Sequence, residues 1–152
     1  GKEFVRVSHP SALRSSGKTM FAVDVHDHEG VVVRVTNLER IFVDVLNRPD
    51  ISGSWEEIWR SLEMVEFFDL EQVVQYVKLL GHATTAAKVG FYLHQHRDEL
   101  MVDNKTFTVL KTMIPKQPHY IDRSARTGCR LVSEWNLLVP PKILDRSWEE
   151  VL

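Results

Sequence analysis

The hydrophobic period of this chain changes twice along its length, and that change constrains the fold more than any other feature. In the first 35 residues the apolar positions follow strand rules. Phe4-Val5-Arg6-Val7 alternates apolar and polar, Met20–Val25 is an apolar run broken by Asp24, and Val31–Val35 is β-branched except at Arg34. His26-Asp27-His28-Glu29-Gly30 reads as a hairpin loop ending in glycine, and Ser8–Lys18, with Pro10 and Gly17, reads as a surface loop. At Thr36 the period lengthens to that of a helix. Thr36 and Glu39 have the spacing of a capping box, and Leu38, Ile41, Phe42, Val45 and Leu46 recur at helical intervals until Pro49.

Four more helices follow by the same logic. Ser54 with Glu57 opens one whose stripe is Trp55, Ile58, Trp59 and Leu62. Asp69 with Gln72 opens another, with Leu70, Val73, Val74, Val77 and Leu80 inward and Gly81 placed as a terminating glycine. Thr84 or Thr85 starts a helix with Ala86, Val89, Gly90 and Leu93 inward. Asp103 or Asn104 starts the next, carrying Phe107, Leu110 and Ile114 as far as Pro115. Beyond Pro115 strand signals return at His119-Tyr120-Ile121, Leu131-Val132 and Trp135–Val139, and Ser147 with Glu150 spells a last capping box. Strands and helices are segregated along the chain. The expected class is therefore α+β: a mixed β-sheet from N- and C-terminal strands, covered by a central cluster of about five helices, in a single domain over 1–152. The tryptophan and phenylalanine stripes read as core packing.

Composition narrows the function. Hydrophobic residues at 43% and charged residues at 26% exclude wholesale disorder, and no apolar run reaches the roughly 20 residues that span a bilayer. The lone Cys129 excludes an internal disulfide and a multi-cysteine zinc site. The opening GKEFVRVSHP has no apolar core of a signal peptide behind its basic residue, which makes a reducing cytoplasm the expected compartment. The formal charge of −2 is unevenly spread: residues 37–110 carry −5 and residues 111–146 carry +4. The basic third contains Lys111, Lys116, Arg123, Arg126 and Arg130, with His119 and Tyr120 interleaved. Such a segment can meet phosphates without reading sequence.

Catalytic signatures are weak. The glycines form no phosphate-cradling loop, there is no H-E-x-x-H, and His94 and His96 lie two apart on a helix and so point apart. His26 and His28 read as solvated loop histidines. Cys129 sits near Arg126 and Arg130, but a lone loop thiol reads as inert. Glu39, Arg40 and Asp44 form the polar face of the first long helix, with Arg40 and Asp44 paired at i,i+4. Glu39 and Asp44 diverge by about 140° around that helix, a poor geometry for one metal ion. No catalytic residue, metal or cofactor is assigned.

A family resemblance adds to this. Val35-Thr36-Asn37-Leu38-Glu39-Arg40-Ile41-Phe42-Val43-Asp44-Val45-Leu46-Asn47-Arg48-Pro49 resembles the V-T-x-x-E-R-T-x-V-D-x-L-x-R-P segment of AbiEi-type antitoxins, the regulator partners in type IV toxin–antitoxin, abortive-infection systems. Ser52–Trp59 resembles that family's S-G-G-x-x-E-V-x turn and helix, Lys88–Leu93 its R-L-G-Y-L-L segment, and Ser133–Pro140 its closing x-x-W-x-L-x-x-P strand. The four segments lie in the expected order over residues 20–142, with Ile41, Ser54 and Lys88 as departures. The resemblance implies a non-catalytic antitoxin domain that neutralises a nucleotidyltransferase-like toxin, directly or through a shared target, and supports operon autoregulation. It also implies promoter DNA as a partner through a winged helix-turn-helix. Nothing before Val31 reads as such a module, so the chain is expected to be the C-terminal domain alone, or a family member without its DNA reader. The alternative from another class is a metal-dependent, nuclease-like enzyme using Asp24, Glu39 and Asp44.

Overall fold

The computed structural model describes residues 1–149. Seven helices and two small sheets are present among them: α1 (Ser11–Ser16), β1 (Val23–His28), β2 (Val31–Thr36), α2 (Leu38–Asn47), α3 (Trp55–Glu63), α4 (Leu70–Leu80), α5 (Ala83–Gln95), α6 (Asn104–Lys111), β3 (His119–Tyr120), β4 (Arg130–Val132), β5 (Leu137–Val139) and α7 (Pro141–Leu144). Two 3₁₀ turns, Pro49–Ile51 and Ser147–Glu149, complete the list. The class is α+β, as the two changes of period require. The last capping box runs into Glu150, outside the described residues.

The strands do not join in one sheet. β1 and β2 form a separate antiparallel hairpin, in register Val23↔Thr36 to His28↔Val31, while β5 lies between a parallel β3 and an antiparallel β4. The hairpin turn is shorter than the expected loop. Glu29 and Gly30 both adopt positive φ (51° and 82°), and the Gly30 N–H donates to the Asp27 carboxylate at 2.8 Å. Val25, Val31 and Val32 remain about 60% exposed, so the hairpin stands off the core. Residues 4–7 form no strand, and the loop expected over residues 8–18 contains α1, whose Leu13 is fully buried.

The core is organised around α5. Every residue from Thr85 to Leu93 is buried, because α2, α6 and β5 pack on different sides of it. Gly90 lets the helix approach Trp135 closely: a Cβ at that position would come within 2.2 Å of the indole ring. Trp59 is fully buried and donates from Nε1 to the Gln95 side chain at 2.8 Å, and Gln95 donates onward to the Ile143 carbonyl at 3.1 Å. The aromatic stripes are thus core. Ser54 and Glu57 make the expected reciprocal capping box, Asp69 and Asp103 cap α4 and α6, and Gly81 ends α4 in the left-handed region.

Helix α2 departs from its sequence pattern. Leu38 and Ile41 are exposed, while Arg40, Phe42, Val43 and Leu46 are buried. The helix is turned so that Arg40 reaches inward. Its Nη1 donates to the carbonyls of Thr19 and Phe21, both at 2.8 Å, in the turn before β1. Burying a guanidinium is favourable only where acceptors are already fixed, and that chain reversal supplies them.

Candidate functional site

The residues expected to form a polar helix face do structural work instead. Thr36 and Glu39 do not make a capping box: Asn37 caps α2, and Glu39 accepts the Asp69 N–H at 2.8 Å, tying α2 to the start of α4. Arg40 is 3% exposed. The i,i+4 pair with Asp44 forms at 3.4 Å, but as part of a half-buried cluster in which Arg40 also approaches the exposed His9 at Nδ1 and the Tyr76 ring, and Tyr76 donates its hydroxyl to Asp44. Burial outweighs these contacts and holds the Asp44 carboxyl above its ordinary pKa. Arg40 and Asp44 border a cleft of about 560 Å³ with Val7, Pro10, Ile41 and Val45. Arg40 and Asp44 are satisfied by each other and by the protein, and Arg48, which also lines this cleft, pairs with Asp50 at 2.9 Å.

A second cleft, of about 740 Å³, is chemically different. It lies where the end of α2, the first turn of α5 and the segment after β3 converge. Three cations border it, Lys88, Arg123 and Arg126, against one carboxylate, Asp122. His82, Thr84, His119 and Tyr120 complete the polar rim. Gly81 ends α4 with φ 68°, His82 then starts the 13-residue α5 without a side-chain cap, and Ala83, Thr84 and Thr85 of that first turn line the cleft.

Lys88 is the unusual member. It is 7% exposed, and its Nζ donates to the Leu46 carbonyl at 3.1 Å in the last turn of α2, 5.8 Å from the Trp55 ring. An ammonium has three protons to give, and this bond uses one. Burial lowers its pKa to about 8. Asp122 is tied down on both oxygens: one accepts Trp55 Nε1 at 2.8 Å, the other the Ser124 N–H at 2.8 Å and the Ser124 hydroxyl at 2.6 Å. Those bonds hold its pKa below the ordinary value despite partial burial. They also fix the loop that carries Arg123. Arg126 lies over the Tyr120 ring at 5.3 Å and donates from Nε to the Arg123 carbonyl at 2.8 Å.

No protein-family model, curated protein or solved structure matches the chain.

The expected basic set is divided by the fold. Arg123 and Arg126 border the cleft. Lys111, Lys116 and Arg130 are exposed elsewhere, Lys111 lying over the Trp135 ring at 5.5 Å. Lys88, His82 and His119 were not singled out as site residues by the sequence pattern. A lysine between Ala87 and Val89 in an otherwise apolar helix is the signal that could have marked Lys88. Cys129 donates to the Ala125 carbonyl at 3.0 Å, and burial pushes its thiol pKa up. His94 contacts Glu134 at 2.8 Å, while His96 is buried against Tyr92, so the two do point apart. Among the described residues no group of three or more His, Cys, Asp or Glu is placed to hold a metal ion, and no helix is long and apolar enough to cross a membrane.

Proposed function

We propose that this chain is a non-catalytic antitoxin-type regulatory domain of the AbiEi kind, acting by binding. The observation that supports this best is the division of labour among its charged side chains. Glu39 and Asp44, the carboxylates a hydrolase would use, are spent on fold-building bonds, whereas Arg123 and Arg126 are presented to solvent beside an open cleft. A surface of this kind attracts an anionic partner and holds it without breaking a bond. The partner in that reading is the nucleotidyltransferase-like toxin or its nucleic-acid target, with promoter DNA contacted through a winged helix.

Co-expression with the cognate toxin tests the role. Growth should recover when the domain is present and fail to recover when it is withheld. A folded, abundant domain that leaves growth arrest untouched refutes it. The nuclease-like alternative requires Asp24, Glu39 and Asp44 to share one metal ion. Asp24 is exposed on the outlying hairpin, and the other two are bonded to different partners.

A further inference from the structure

The cleft at the start of α5 combines features that together describe a ligand. Its floor carries the buried ammonium of Lys88, with protons left to donate. Its rim carries the Arg123 and Arg126 guanidinium groups, whose forked donors match phosphate oxygens. Its lining includes Ala83, Thr84 and Thr85 of the first turn of α5, which has no side-chain cap, and the helix dipole there favours negative charge. The one carboxylate in the lining, Asp122, accepts its hydrogen bonds from Trp55 and Ser124 on both oxygens and forms no ion pair within 4 Å with any of the three cations.

The lining is not only cationic. Tyr120, Pro118 and Pro49 offer ring and apolar surface, and the Arg126 guanidinium lies across Tyr120. At about 740 Å³ the cleft falls within the range of pockets that take small organic ligands, and it holds more than a bare oxyanion.

We infer that this cleft is a binding site for a nucleoside phosphate, with the phosphate held by Lys88, Arg123 and the first turn of α5, and the nucleoside against the Tyr120 wall. The Lys88 ammonium is largely protonated at neutral pH, as this role requires. The inference stands apart from the antitoxin reading: growth rescue tests that one, and ligand binding tests this one.

The experiment is calorimetric titration of the full chain at low salt with AMP, inorganic phosphate and adenosine. AMP should bind tighter than phosphate, and adenosine should bind more weakly than either. Lys88→Met and Arg123→Ala should each weaken AMP at least tenfold. Arg123 is exposed, so its variant remains informative should Lys88→Met fold poorly. A 5′-phosphorylated dinucleotide distinguishes the source of the phosphate: tighter binding than AMP identifies a strand end, and weaker binding a free nucleotide. Absence of binding by AMP and the dinucleotide, or affinities indifferent to both substitutions, overturns the inference.

Discussion

Replacing Lys88 by methionine gives an unusual expected result for a buried charge: almost no change in stability near neutral pH. Two effects oppose each other. Burial lowers the pKa to about 8 from an ordinary value of 10.5, and at 1.36 kcal/mol per unit this makes the protonated side chain cost the folded state about 3 kcal/mol. Against that, the ammonium satisfies the Leu46 carbonyl, one of the last-turn acceptors of α2, and a charged hydrogen bond of this kind contributes about 1.5–3 kcal/mol. Methionine keeps most of the volume and removes both terms. The net change should stay within about 1 kcal/mol, whereas breaking a compensated buried ion pair costs about 3–5 kcal/mol.

The pH dependence carries the sharper test. Between pH 8 and about 10.5 the unfolded chain holds the Lys88 proton and the folded one releases it, so the wild-type protein gains stability with rising pH through that window. Asp122 and Asp50 act on the group and have pKa values held below the ordinary carboxylate value, so they stay ionised across this window and do not supply the slope. Chemical denaturation at pH 7.5 and 9.5 should show the wild type gaining about 2 kcal/mol relative to Lys88→Met. Parallel stability curves for the two proteins, or a loss above 3 kcal/mol at pH 7.5, would refute the reasoning.

Other substitutions probe the core and the half-buried cluster. Gly90→Ala places a methyl within 2.2 Å of Trp135, and overpacking of about 3 kcal/mol or more should exceed the roughly 1 kcal/mol gained in helix propensity. Its melting temperature should fall by about 4–8 °C in a thermal scan. Arg40→Leu leaves the carbonyls of Thr19 and Phe21 and the Asp44 carboxylate without their partner, and denaturation should register a loss of about 3–5 kcal/mol. Glu39→Ala removes the bond to the Asp69 amide and should cost about 0.5–1.5 kcal/mol in the same assay, a far smaller loss that separates the two residues. Cys129, with its thiol pKa raised, should react with a disulfide reagent at neutral pH several-fold more slowly than glutathione does. Equal or faster reaction contradicts its assignment as inert.

The helix starts at Ser54, Asp69 and Asp103 and the stop at Gly81 were legible because caps are local: a side chain bonds an amide three residues away, and both lie within one short stretch of sequence. The α+β class followed from the same kind of local pattern, a period of two giving way to 3.6. The aromatic core was legible too, since large rings at helical spacing have no better place than the interior.

What the sequence could not decide was anything set by partners far along the chain. Thr36 and Glu39 spell a capping box, yet Glu39 bonds Asp69 and Asn37 takes the cap. The apolar stripe of α2 predicts Leu38 and Ile41 inside, yet the helix turns to bring Arg40 to two carbonyls about twenty residues earlier. The hairpin has strand-forming residues, but whether it joins the C-terminal strands depends on edges and spacing that no local pattern encodes. The cationic cleft is the clearest case. Lys88, Arg123 and the first turn of α5 come together only because the packing of α5 against α2 and the C-terminal sheet fixes their separation.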